Sequence, residues 1–243
     1  MFDFQLLMIS ALTPVAVLIW YLYRKDKAKP EPPLNLVLAF VAGVLSVFLS
    51  LVKTIPLSFL GLDFSESESM IGQALDALFM AALPEEMAKL LMFLIVIHFM
   101  KNFDEYIDGA VYCGIVGLGF AGFENIMYIA GAEDMISTSI GRALMSIPGH
   151  FSFGIAMGYY FARSWFDTNK NWLFYLLVVI VPVFAHWGYD ALLMCASVAP
   201  EGIDIILLIV FLIFFTVMML ITFLSIRHLL KLDKERELRI NNI

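Results

Sequence analysis

Residues 71–100 read IGQALDALFMAALPEEMAKLLMFLIVIHFM. The run exceeds the roughly 20 mostly apolar residues that cross a bilayer. Its middle nevertheless carries Leu83-Pro84-Glu85-Glu86-Met87-Ala88-Lys89-Leu90. A charge at mid-bilayer costs at least about 2.5–3.5 kcal/mol, so intramembrane ionisable groups are functional candidates by default. Glu85 and Lys89 stand four positions apart, on one helical face and in the favourable order for an ion pair. Glu86 lies about 100° round from Glu85 and faces something else. Packing alone needs one acid for one lysine; the second acid is left for chemistry.

Six further apolar runs flank this one, at 4–23, 34–60, 107–130, 140–162, 172–195 and 203–226. Hydrophobic residues make up 61% of the 243-residue chain and charged residues 15%. An ordinary soluble domain has about 45–50% and about 25%. Mean hydropathy is +0.88. The expectation is an all-α, polytopic transmembrane bundle of about seven spans, with residues 1–243 forming a single integral membrane domain and the lipid bilayer as its solvent. Disordered, disulfide-scaffold and nucleic-acid-binding classes are excluded, the last also by the net charge of -7. Cys113 and Cys195 fall in apolar runs without metal-site spacing and read as packing residues.

The first run begins with Asp3 and passes straight into Arg24-Lys25-Asp26-Lys27-Ala28-Lys29. It reads as an anchor, not as a cleaved leader. In an alternating seven-span arrangement, twelve of the 15 Lys and Arg fall on one side. These are Arg24, Lys25, Lys27, Lys29, Lys101, Arg163, Lys170 and five in the tail from Arg227 to Arg239. The opposite loops carry acids instead: Asp63, Glu66, Glu68, Glu133, Asp134, Glu201 and Asp204. The positive-inside rule then puts the N-terminus outside and the C-terminus in the cytoplasm of a multi-pass cell-membrane protein. Residues 24–33, with Pro30, Pro32 and Pro33, read as a stiff linker, and 227–243 as a charged juxtamembrane helix.

Polar residues recur inside the other runs. Phe120 and Glu124 share a helical face behind the glycines Gly117, Gly119 and Gly122. His150 follows Pro148-Gly149, and Gly154 and Gly158 form a close-packing GxxxG pair. His186 and Asp190 are one turn apart. Glu85, His150 and His186 all fall near the middle of their spans. Glu124 is displaced roughly 8 Å outward at 1.5 Å per residue, and Asp190 is displaced the same way. One polar layer in the central-to-outer half, open outward, is the natural arrangement. Lys53, Asp76 and Arg142 sit near the outer boundary and read as snorkelling or mutually paired.

In their order along the chain, Glu85-Glu86-x-x-Lys89, Phe120-x-x-x-Glu124, His150 and His186-x-x-x-Asp190 resemble the PrsW intramembrane proteases. That family belongs to the superfamily of CAAX prenyl endopeptidases and bacteriocin-processing enzymes. The resemblance covers about residues 70–195. It implies a helical membrane peptidase in which Glu85 activates water, Glu124 shares that water, and His186 binds the oxyanion. Glu86, His150 and Asp190 complete the catalytic set, with Lys89 and Phe120 in structural or ion-pair roles. Asp190 departs from the Asn often found there, so it is either protonated or serves to orient His186. The implied substrate is a single-pass membrane protein cut on its outer side, such as an anti-sigma factor, in stress signalling.

Peptide hydrolysis needs a base for water and donors for the oxyanion. No Ser-His or Cys-His nucleophile stands out. No cofactor is expected. The alternative within the enzyme class is zinc held by Glu85, Glu124, His150 and His186, although no HExxH pair exists. A proton- or cation-coupled transporter would also place acids and histidines at mid-membrane, but inverted repeats are not visible. A packing protein without activity is the last alternative.

Overall fold

The computed structural model describes residues 4–100, 102–167 and 171–241, with side chains from residue 9 onward. Asp3, Lys101, Lys170 and the end of the tail, 242–243, lie outside the described residues. The elements are α1 (Phe4–Lys25), α2 (Pro33–Phe59), α3 (Met70–Asp76), α4 (Leu83–Phe99), α5 (Tyr106–Gly131), α6 (Met135–Gly141), α7 (Ile147–Phe166), α8 (Trp172–Val198) and α9 (Ile203–Asn241). No strand occurs among the described residues. The protein is therefore all-helical, and α2, α5, α8 and α9 are each long and apolar enough to span a membrane.

The runs expected at 71–100 and 140–162 are helices with a single irregularity. A π-helical segment, Ala77–Ala82, joins α3 to α4, and a second, Arg142–Ser146, joins α6 to α7. Each is followed by a proline at the second residue of the next helix, Pro84 and Pro148. Proline has no N–H, and its ring clashes with the carbonyl four residues back. A wider π turn relieves that clash without ending the helix, and such turns are frequent at functional sites. The second of these runs starts at Met135 instead of 140, capped by Asp134, which accepts from the N–H groups of Ile136 and Ser137 at 3.1 Å. The charged tail does not form a separate helix. It continues α9 unbroken to Asn241.

Helix α5 is the axle. It is buried on all sides along most of its length and packs against α7, α2 and α1. Apolar burial gives little drive between helices in lipid, so close approach of small residues must do the packing. A Cβ added at Gly158 of α7 would stand 1.9 Å from the carbonyl oxygen of Gly109, and one at Gly43 of α2 would stand 2.1 Å from that of Val116. Both glycines are thus fixed by backbone contact, and the GxxxG expectation for α7 is met. The outer faces are apolar: Phe59, Leu34, Val52 and Ile213 are all more than half exposed. On a water-soluble monomer an apolar coat of this extent would drive association; it is a surface suited to lipid.

Candidate active site

The two proline-π junctions set Glu85 and Glu86 at the start of α4 and His150 at the start of α7. Helix α5 supplies Phe120 and Glu124, and α8 supplies His186 and Asp190. Four helices so bring all eight residues singled out from the sequence into one connected cluster. Lys89 is its centre. Its Nζ lies 2.7 Å from Glu86 Oε1, 3.4 Å from Glu85 Oε2 and 3.0 Å from His150 Nδ1, and 3.9 Å over the Phe120 ring. Spacing suggested Glu85 as its main partner. Lys89 is closer to Glu86, because both are sealed in the core, while Glu85 stays partly open. An ammonium only donates, so His150 accepts at Nδ1 and donates from Nε2 to Glu124 Oε2, 3.1 Å away.

The remaining contacts extend the network. His186 Nδ1 is 2.9 Å from Glu86 Oε1, and its Nε2 is 3.0 Å from Asp190 Oδ2 and 3.9 Å from Glu85 Oε2. Phe153 stacks on the His186 ring at 4.6 Å, which fixes the ring plane. A cavity of about 720 Å³ is lined by Glu85, Glu124, His150, His186 and Asp190. Its lining continues to Asp76, Thr138 and Met194, toward the loops that carry the acids. Glu86 and Lys89 are not in that lining; they sit behind the wall.

Arg142 is a full member of the cluster. Its guanidinium donates to Glu124 Oε2 at 2.5 Å and to Asn125 Oδ1 at 2.6 Å, and lies 4.0 Å over the Tyr128 ring. Asp76 accepts instead from the Phe64 N–H at 2.8 Å, and no pairing among Lys53, Asp76 and Arg142 occurs in the described contacts. Residue spacing does not point to Arg142, since the π turn between it and His150 alters the helical register. Asn125 and Phe153 are ordinary in composition, and only packing identifies them.

The ligand atoms of Glu85, His150 and His186 lie within 4.8 Å of one another, the grouping a metal would use. A catalytic zinc takes about three protein ligands. In this arrangement, however, the one lone pair of the His150 ring accepts from Lys89. Glu85, Glu124 and His186 Nε2 remain beside the Lys89 ammonium, with Glu124 Oε2 held by Arg142 and His150 and His186 Nε2 by Asp190, so an ion would have to displace these contacts.

No solved structure matches the chain. It is 32% identical over 185 residues to Protease PrsW of Geobacillus kaustophilus, covering 76% of this chain and 78% of the relative. It is 33% identical over 195 residues to Protease PrsW of Clostridioides difficile, covering 77% and 79%. For Protease PrsW of Bacillus subtilis the figures are 31% over 192 residues, 77% and 83%. Residues 31–221 match the family described as PrsW family intramembrane metalloprotease, a span that takes in the whole cluster around Lys89. By these matches the chain belongs to the PrsW family of intramembrane proteases, and it is a membrane peptidase.

Proposed function

We propose that the chain hydrolyses a peptide bond of a single-pass membrane protein with a water activated by Glu85 and without a metal. The supporting observation is the position of Lys89. Four carboxylates, Glu85, Glu86, Glu124 and Asp190, share the cluster with two permanent cations, Lys89 and Arg142. Both nitrogens of His186 have carboxylate oxygens in hydrogen-bond range, so this ring is the natural third positive centre. One negative charge is then left over. Glu85 is the carboxylate that both lines the cavity and has the long, 3.4 Å contact to Lys89. It is the group free to take a proton.

In the proposed reaction Glu85 removes a proton from water as the oxygen attacks the scissile carbonyl. The oxyanion of the tetrahedral intermediate takes the His186 Nε2 proton as a hydrogen bond, in competition with Asp190. Asp190 therefore orients His186 before substrate arrives. Glu85 returns its proton to the leaving nitrogen, and the amine departs. Glu86 holds His186 by Nδ1 and Lys89 from behind, and His150 links Lys89 to Glu124, which positions the water. Glu86, Lys89 and His150 are positioning residues in this scheme. The acid-bearing loops at the mouth support cleavage at the outer face of the cell membrane, with the N-terminus outside and the C-terminus in the cytoplasm. An anti-sigma factor is the substrate class proposed.

The test compares membrane proteins and shed ectodomains from cells carrying the wild-type chain or Glu85→Gln at matched expression. A single-pass protein trimmed only by the wild type supports the proposal and supplies the substrate. No differing fragment under several membrane stresses overturns it. Loss of cleavage with a zinc-selective chelator transfers the water activation to a metal.

A further inference from the structure

The other end of α5 carries a second group of acids, and there no ion pair to a side-chain cation is formed by Asp26, Glu31, Glu105 or Asp108 among the described residues. The oxygens of Asp26, Glu105 and Asp108 lie within 4.8 Å of one another. Asp26 follows α1, Glu105 is the N-cap of α5, and Asp108 closes the capping box from inside its first turn. Glu31, on the same α1–α2 linker as Asp26, is buried beside them and accepts a hydrogen bond from the Tyr112 hydroxyl.

Each buried carboxylate uses one oxygen locally. Asp26 Oδ2 accepts from the Glu31 N–H at 3.0 Å. Asp108 Oδ2 accepts from the N–H groups of Asp104 and Glu105 at 2.8 and 2.7 Å. The second oxygens, Asp26 Oδ1 and Asp108 Oδ1, are buried and accept from no N–H or O–H group among the described residues, in residues only 2% and 0% exposed, and the Asp108 and Glu31 carboxyls are in hydrogen-bond contact with each other. An unmatched buried carboxylate oxygen is expensive, and two beside further acids more so. The nearby cations do not reach them: Lys29 Nζ and Arg236 both bind Asp104, at 3.5 and 2.7 Å, on the exposed rim.

We propose that Asp26, Glu105 and Asp108 bind a hard divalent cation of the magnesium or calcium class, which ties the α1–α2 linker to the start of α5. The donors are carboxylate oxygens throughout, the set such ions prefer, with no nitrogen or sulfur to favour zinc. Asp26 and Asp108 offer their free oxygens, and Glu31 is placed to assist. The site is distinct from the catalytic cluster: Asp108 and Glu124 are sixteen residues apart on one helix, about 24 Å.

The test is equilibrium dialysis of the purified full-length protein in neutral detergent against calcium and against magnesium, each alone, with unfolding temperatures measured in parallel. The expected result is one ion per chain for the wild type and for Glu85→Gln, and none for Asp26→Asn or Asp108→Asn. The bound ion should raise the wild-type unfolding temperature and leave that of Asp26→Asn unmoved. Asn keeps an oxygen for the Glu31 N–H, so in chelator Asp26→Asn should unfold no lower than the wild type. The proposal is overturned by an absence of saturable binding. It is equally overturned if binding survives both Asn variants and disappears in Glu85→Gln, or if Asp26→Asn is the less stable chain in chelator. In that last outcome the acids share protons among themselves.

Discussion

Helix α5 holds an acid cluster at each end, and the two are compensated in opposite ways. Around Glu124, every carboxylate touches a side-chain cation or a histidine: Lys89 and His186 for Glu85 and Glu86, Arg142 and His150 for Glu124, His186 for Asp190, although the second oxygen of Glu86, Oε2, has no hydrogen-bond partner among the described residues. Around Asp108, the carboxylates touch backbone N–H groups, a tyrosine and one another. A buried carboxylate must be matched somewhere. In the proposed reading, the cluster that nearly matches its charge internally moves protons, because a small surplus falls on one defined group, and the other holds an ion.

The largest effect expected from this contrast is on catalysis. Glu85→Gln keeps the shape of the cavity wall and leaves Lys89 paired with Glu86. Cleavage of a substrate should fall by about 10²–10⁴-fold, the usual contribution of a general base, with an unchanged unfolding temperature. Quantitative immunoblotting of the trimmed substrate measures it. A variant within twofold of the wild type would mean that the surplus charge at the catalytic end is not the working one.

Next comes Lys89→Met, which leaves Glu86, 1% exposed, facing His186 alone. Breaking a buried pair on one side costs about 3–5 kcal/mol. Thermal unfolding in detergent should show that loss, and adding Glu86→Gln in the same chain should recover much of it. If Lys89→Met alone is as stable as the wild type, some other cation matches Glu86, and the two ends of α5 are more alike than their contacts indicate. A smaller loss follows from Arg142→Lys. The charge survives, but one ammonium cannot span Glu124 and Asn125 as the planar guanidinium does. Hydrogen bonds to charged groups contribute about 1.5–3 kcal/mol. The variant should lose about that much stability, and cleavage should weaken with it as Glu124 loses its orientation.

Much of the Lys89 cluster was legible in the sequence. Glu85, Lys89, Glu124, His150 and His186 stand out because a charge or histidine in an apolar run has no cheap explanation, and helical spacing puts each on a definite face. The seven helical runs were legible for the same reason. Less so were the π turns before Pro84 and Pro148, since proline in an apolar run predicts a kink without fixing its form. The place of Arg142 in the cluster was not legible as a consequence: at a helix end, snorkelling and membership of such a cluster look identical until the neighbouring turn is known. The opposite end was hardly legible. Asp26, Glu31 and Glu105 sit in charged, loop-like sequence where acids are ordinary, and Asp108 stands at the edge of its run. Only the burial of Asp26 and Asp108, produced by three separate segments meeting, makes them exceptional.

The smallest effect concerns two lysines that look alike in a list of ion pairs. Lys89 meets Glu86 with 2% and 1% of their side chains exposed; Lys29 meets Asp104 with 63% and 59% exposed. Solvent screens the second pair, and such surface pairs contribute about 0–1 kcal/mol. Lys29→Ala should therefore leave unfolding nearly unchanged, and dialysis should still find the cation, because Lys29 reaches Asp104 on the rim and not the unmatched oxygens of Asp26 and Asp108. A large loss in Lys29→Ala would show instead that this lysine is the hidden cation of the acid cluster. The proposed ion would then be unnecessary, and both ends of α5 would follow one rule.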